Sequence, residues 1–243
     1  MNIMTLKFLV VLICFITILT VNAGKIVIIG DSTVASYPTR RAPLCGWGQA
    51  MKEKLKDRIE VLNLARSGYS SKSYINARRW SKTKKQLKSG DMLLIQFGHN
   101  DEKADKTKVG SSLEEFKQNL KLYTKEAKAM GVKPVLISPV CRRYFKGKLA
   151  IDSHKQFALA VEETAKNLKV SYVPLNALSL AWLEKLGPTA SKNYYMVLAP
   201  GKYPAYPKGR KDSTHFNIKG ANAICDIVLN ELKKQNIISK VFN

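Results

Sequence analysis

The chain has 243 residues with 41 Lys or Arg against 18 Asp or Glu, a formal net charge of +23. That length favours one domain or at most two small ones. The charge implies anionic partners and electrostatic steering of acidic substrates, but no RNA- or DNA-binding motif accompanies it.

The first stretch is not read as fold. Lys7 precedes an almost wholly apolar run, Phe8 to Thr20, followed by the small-residue site Val21-Asn22-Ala23. This is the pattern of a secretory signal peptide. The run is short for a spanning helix, which needs about 20 apolar residues. Cleavage is expected after Ala23, giving a soluble monomer that is secreted or periplasmic and has no membrane segment. Cys14 lies inside the apolar run, which is the wrong place for a lipid anchor. For an exported protein, an anionic polysaccharide is a better partner than nucleic acid. Cys45, Cys141 and Cys225 have no C-x-x-C spacing that would suggest zinc or redox chemistry. Export permits a disulfide, the odd count leaves at least one thiol unpaired, and the pairing stays open.

In chain order, Lys25 to Ile29 is a β-branched run ended by Gly30 and reads as a buried strand. A helix follows from about Gly48 to Lys56, then a strand over Glu60 to Leu64. Residues 74–88 read as one basic helix stopped by Ser89-Gly90. Asp91 to Phe97 is a third strand. Ser112 to Met130 is a helix that Ser112 can cap, with Glu115 three residues on and Gly131 at its end. Lys133 to Ser138 is a fourth strand, Ser153 to Leu168 a helix, and Val170 to Pro174 a fifth strand. Ala177 to Leu186 and Asn217 to Lys234 complete the helices. Strands alternating with helices predict a parallel sheet covered on both faces. The expected fold is a flavodoxin-like three-layer α/β/α sandwich with a five-stranded parallel sheet, in a domain spanning residues 24–243.

In such folds ligands bind outside the carboxyl ends of the strands. Gly30-Asp31-Ser32-Thr33 follows the first strand, Ala65-Arg66-Ser67-Gly68 the second, and Gly98-His99-Asn100-Asp101 the third. Asp212-Ser213-Thr214-His215 precedes the last helix. A serine becomes a nucleophile when a base takes its proton, and histidine suits that task near neutral pH. Of the three histidines, His215 has Asp212 three residues upstream, within reach of its near ring nitrogen. His99 belongs near the site but has no acid positioned to orient it. His154 reads as a solvated surface residue at a helix start. Asp31 and Asp101 read as braces of their own turns. No phosphate-binding glycine loop or zinc-binding H-E-x-x-H occurs, and neither metal nor cofactor is implied.

Those four blocks, in order, resemble the SGNH (GDSL-like) hydrolases. The resemblance implies Ser32 as nucleophile, with Asp212 and His215 completing a triad. It also implies an oxyanion hole from the backbone N–H groups of Ser32 and Gly68 and the side-chain amide of Asn100. Gly30-Asp-Ser-Thr-Val34, Gly46-Trp-Gly-Gln49, Phe97-Gly-His-Asn-Asp101 and Asp212-Ser-Thr-His-Phe216 are similar to the rhamnogalacturonan acetylesterase branch, which removes O-acetyl groups from pectic and related polysaccharides. Tyr69 and Ser213 depart from that branch beside the site.

Residues 194–211 read as a long loop over the active edge. Tyr203 and Tyr206 are candidates to stack on sugars. Lys202, Lys208, Arg210, Arg142 and Arg143 are candidates to meet carboxylates of an acetylated anionic polysaccharide. Residues 72–88 hold seven Lys or Arg and no acid, read as a solvated helix face. Competing readings are an SGNH esterase or lipase on small or lipid esters, a catalytically inactive basic carbohydrate-binding module, and a flavin-binding flavodoxin-like protein.

Overall fold

The computed structural model of the protein describes residues 24–238, so the signal peptide read in residues 1–23 lies outside the described residues. The chain runs β1 (Ile26–Gly30), α1 (Trp47–Leu55), β2 (Val61–Asn63), α2 (Ser71–Asn76), α3 (Arg79–Lys84), β3 (Met92–Gln96), α4 (Leu113–Ala129) and β4 (Lys133–Ile137). It continues through β5 (Phe145–Lys146), β6 (Leu149–Ala150), α5 (Lys155–Leu168), β7 (Ser171–Val173), α6 (Leu175–Ala190), β8 (Tyr195–Leu198), β9 (Arg210–Phe216) and α7 (Ile218–Lys234).

The expected parallel sheet is present, with strand order β2-β1-β3-β4-β7. Its strands carry apolar residues on both faces because helices cover both. Ile26, Ile28, Met92, Leu94, Val135 and Ile137 join one core with α1, α6 and α7. Val27, Ile29, Leu93, Ile95 and Leu136 join a second core with α2, α3, α4 and α5. Strand order reverses between β1 and β3, so a crevice opens at their carboxyl ends. The turns carrying Ser32 and Asn100 leave from there.

Helix starts follow their sequence signals. Ser112 Oγ accepts the Glu115 N–H at 3.1 Å, and Asn217 Oδ1 accepts the Gly220 N–H at 3.0 Å. Such caps satisfy backbone donors that the first helical turn leaves unpaired.

Two expectations need correction. Residues 74–88 are not one helix: the chain breaks at Arg78, which adopts a left-handed φ of 55°. Trp80 is drawn into the core, where its Nε1 donates to Glu126 at 2.7 Å and its ring meets Tyr123 edge-on at 4.9 Å. That tertiary contact overrides helical propensity. Residues 194–211 are not simply a loop, because β8 and β9 pair antiparallel there. The strand Arg-Lys-Asp-Ser-Thr-His-Phe lacks the alternation of apolar residues that would have announced it. A second small hairpin, β5 with β6, was also silent in the sequence.

Cys45, Cys141 and Cys225 are free and buried. Burial pushes their thiols up, Cys45 to about 11 and the other two to about 12, so they pack as small apolar groups.

Gly46 and Trp47 brace the turn that carries Ser32. Trp47 N–H donates to Thr33 O at 3.0 Å, and a Cβ on Gly46 would lie 2.3 Å from Ala35 O. A Gly46→Ala variant must move backbone, so overpacking should cost about 1–3 kcal/mol. Thermal melting should show a Tm lower by several degrees; an unchanged Tm would mean that this contact is not tight.

Candidate active site

The candidate reacting groups come from opposite ends of the chain. Ser32 Oγ lies 2.9 Å from His215 Nε2, and His215 Nδ1 lies 2.8 Å from Asp212 Oδ2. Ser32 leaves β1, whereas Asp212 and His215 stand on β9. Asp212 Oδ1 also accepts the backbone N–H groups of Thr214 and His215, at 2.9 and 3.0 Å. Burial works against its charge, but the His215 contact and these bonds outweigh burial and hold its carboxyl well below the usual range. Asp212 therefore stays ionised. An anionic acid on Nδ1 fixes the tautomer that leaves Nε2 free to accept the Ser32 proton.

The Ser32 turn rests on a buried chain of polar groups. Trp47 Nε1 donates to Gln96 Oε1, Gln96 Nε2 to Thr33 Oγ1, and Thr33 Oγ1 to Asp31 Oδ1, at 2.8, 2.8 and 2.7 Å. Tyr37 OH donates to Ser32 O at 2.6 Å. Burial raises the Tyr37 hydroxyl to about 12, so it remains a donor. Gln96 was the missed signal: a polar residue inside a buried strand must have a partner.

The two other turns close in beside Ser32. Arg66 N–H donates to Gly30 O at 2.9 Å, joining the second turn to the first. Gly68 has φ +84° with open space where a Cβ would stand, so backbone conformation selects glycine here. Neither the Ser32 nor the Gly68 N–H donates to an acceptor among the described residues. Asn100 Nδ2 donates to Tyr69 O at 2.9 Å, and Asn100 Oδ1 accepts from Lys103 Nζ at 2.6 Å. The bond to Tyr69 uses backbone, so the tyrosine side chain at this position does not alter it.

Asp31 and Asp101 brace turns as expected. Asp101 is fully buried and accepts the Ser71 N–H at 3.0 Å, the Ser71 hydroxyl and the Gly98 N–H at 3.1 Å. Two histidine expectations need correction. His99 does have an acid nearby, with Asp31 Oδ2 3.3 Å from its Nδ1. His154 is not solvated: it is 1% exposed, its ring lies 4.3 Å from that of His99, and its Nδ1 is 2.7 Å from Glu102 Oε2. Nothing in the local run Ser-His-Lys-Gln-Phe marks this burial, which the docking of α5 near the sheet edge imposes.

Two arginines read as carboxylate binders are spent inside the protein. Arg142 pairs with Glu102 and donates to His99 O at 3.2 Å. Arg143 donates to Pro188 O, Ser191 and Ser213, tying α6 to β9. Arg210 meets Asp212 and lies over the Tyr206 ring. Lys202 and Lys208 are exposed on the 199–209 connection, and Lys202 Nζ lies 5.7 Å from the Tyr203 ring centre. Among the described residues no group of three or more His, Cys, Asp or Glu could hold a metal ion, and no helix is long and apolar enough to cross a membrane.

A hydroxyl, an imidazole and a carboxylate in line at the carboxyl edge of a flavodoxin-like sheet have the geometry of a serine hydrolase. The chain belongs to the GDSL-like Lipase/Acylhydrolase family, whose model matches residues 26–228. It is similar to rhamnogalacturonan acetylesterase RhgT of Bacillus subtilis (strain 168), with 35% identity over 84% of this chain and 87% of that protein. The probable rhamnogalacturonan acetylesterase YesY of the same organism is 31% identical over 87% of this chain and 94% of its own. Among solved structures, protein YxiM of Bacillus subtilis superposes with a TM-score of 0.76 at 26% identity. The match covers 88% of this chain and 57% of that one. The acetylxylan esterase Axe2 of Geobacillus stearothermophilus shares the fold, with a TM-score of 0.63 at 19% identity over 86% of this chain and 95% of its own.

Burial and the neighbouring His154 push His99 down to about 4, against the pull of Asp31. His99 is thus a base whose folded-state value lies below its unfolded 6.5. As pH falls through that window the unfolded chain takes the proton first, and stability is lost. Asp101, raised by burial to about 7, acts in the opposite direction but is common to wild type and variant. The stability difference between wild type and His99→Asn should therefore shrink by roughly 3 kcal/mol from pH 6.5 to pH 4. Urea titrations at the two pH values measure it; a pH-independent difference would mean that folding leaves His99 unperturbed.

Proposed function

We propose that the protein is a serine esterase that removes O-acetyl groups from a plant cell-wall polysaccharide, with pectic rhamnogalacturonan as the favoured substrate. The observation that carries the chemistry is the alignment of Ser32, His215 and Asp212 at 2.9 and 2.8 Å. The relatives named rhamnogalacturonan acetylesterase support the substrate. The net charge of +23 suits a polymer bearing carboxylates, because it raises the encounter rate with anions.

In this reading Ser32 Oγ attacks the acetyl carbonyl carbon while His215 Nε2 takes its proton. The carbonyl oxygen becomes an oxyanion, received by the N–H groups of Ser32 and Gly68 and the amide of Asn100. As the ester C–O bond breaks, His215 returns the proton to the departing sugar oxygen, leaving acetyl-Ser32. Water then attacks the acetyl carbon, with His215 again as base. The second oxyanion collapses, the proton on His215 goes back to Ser32, and the acetic acid released gives its remaining proton to solvent as acetate. Asp212 steadies the imidazolium throughout and is not itself protonated.

The apolar run Phe8 to Thr20 with Val21-Asn22-Ala23 after it, acting as a secretory leader, would bring the enzyme to the periplasm or the exterior, where such a polymer is met.

Acetate release from acetylated rhamnogalacturonan, beside acetylated xylan and p-nitrophenyl acetate, tests both levels. The wild type should be fastest on the pectic polymer, and Ser32→Ala should lower turnover at least ~10³-fold on every ester. Hydrolysis of the small ester alone would keep the chemistry and refute the polysaccharide. A folded wild type no faster than Ser32→Ala would leave a basic carbohydrate-binding module in place of an enzyme.

A further inference from the structure

We infer that Lys103 is a positioning residue for transition-state stabilisation, because its ammonium holds and polarises the Asn100 amide from behind. The inference rests on the esterase reading above and on Asn100 acting as an oxyanion donor.

An asparagine side chain looks nearly the same flipped by half a turn, yet only one orientation presents N–H groups to an oxyanion. Here both orientation-setting partners are one-sided. An ammonium can only donate, so Lys103 Nζ, 2.6 Å away, must face Oδ1. A backbone carbonyl can only accept, so Tyr69 O, 2.9 Å away, must face Nδ2. The amide is locked from both ends. Its NH₂ group has two hydrogens, and Tyr69 takes one. The other has no acceptor among the described residues and is available to substrate.

The same contact has an electronic effect. A cation on the amide oxygen draws electron density through the conjugated group and makes the remaining N–H a stronger donor. Hydrogen bonds in series polarise one another in this way, more so in a poorly solvated pocket. Asn100 is buried, with 5% exposure, and the half-buried Lys103 ammonium reaches its amide oxygen directly. A charge-assisted bond is roughly twice as strong as a neutral one.

Lys103 is itself held in place. Its N–H donates to Asn100 O at 3.3 Å, and the neighbouring Glu102 is fixed by Arg142 and His154. Lys103 also lines a cleft of about 560 Å³ together with Glu102, Asp152, His154, Lys155 and Phe157. A rival role follows from that wall: Lys103 would touch the sugar chain and affect binding only. The two roles separate on a small ester that has no sugar chain to lie along the cleft.

The experiment measures kcat and KM for p-nitrophenyl acetate with Lys103→Met, Lys103→Arg, Asn100→Ala and the Lys103→Met/Asn100→Ala double variant, with thermal melts of each. Lys103→Met keeps the length of the stem and removes the charge. It should lower kcat ~10- to 100-fold with KM nearly unchanged, and Lys103→Arg should recover part of the loss. In the Asn100→Ala background the same substitution should have little further effect, because the two residues act as one unit. An unchanged kcat in folded Lys103→Met would overturn the inference. So would a loss of equal size with and without Asn100, or a change confined to KM. Ser32→Ala run alongside separates the levels: if it matches wild type the esterase reading fails, whereas if it is inactive and Lys103→Met is not impaired only this inference fails.

Discussion

Everything proposed for this protein depends on one hydrogen bond, from Ser32 Oγ to His215 Nε2, between residues 183 positions apart in the chain. Such a bond tolerates only a few tenths of an ångström, so both ends need rigid support. The serine end has it from the sheet: β1 lies between β2 and β3, and the thread from Trp47 through Gln96 and Thr33 to Asp31 fixes the turn beyond it. The histidine end is fixed by β9, which pairs with β8. The two ends are also joined directly, since Cys45 N–H donates to Phe216 O at 3.1 Å and Leu44 bridges Asn217. The segment after the Ser32 turn and the strand carrying His215 are thus stitched together by backbone.

The carboxyl edge of the sheet concentrates buried polar groups that a core otherwise excludes. Asp31, His99, Asp101 and His154 are each no more than 2% exposed. Burying such groups is costly unless they find partners: Asp31 accepts from Thr33, Asp101 from Ser71 and Gly98, and His154 meets Glu102, while His99 sits between Asp31 and the His154 ring with neither ring nitrogen hydrogen-bonded among the described residues. The same edge absorbs the guanidinium groups of Arg142, Arg143 and Arg210. Long-range attraction of an acidic polymer would therefore fall to the exposed lysines, while those arginines act as ties. High net charge and local charge chemistry are separate features of this molecule.

Much of this was legible in the sequence. The β-branched run at residues 26–29, the apolar run at 92–95 and the capped helix after Ser112 carry periodicity and end signals that short-range physics enforces, and the structure places them within a residue or two. The placement of Ser32, Asp212 and His215 side by side followed from motif order and from the rule that ligands meet the carboxyl ends of parallel strands. What could not be read was decided by contacts distant in sequence. The break at Arg78 exists because Trp80 finds Glu126 and Tyr123; β9 exists because β8 offers it a ladder; His154 is buried because α5 brings it against His99. None of these partners lies within a helical turn of the residue it controls. Gln96 was the exception, a polar residue in an apolar strand that announced a buried partner without saying which.

The most direct test of the central claim is covalent labelling of the nucleophile. The full chain would be treated with a fluorophosphonate, which reacts with a serine only when an adjacent base activates it, and the label located by peptide mass spectrometry. The account predicts one label per molecule, on Ser32, lost in His215→Ala while that variant stays folded. A folded wild type that takes no label, or takes it on another serine, would contradict it.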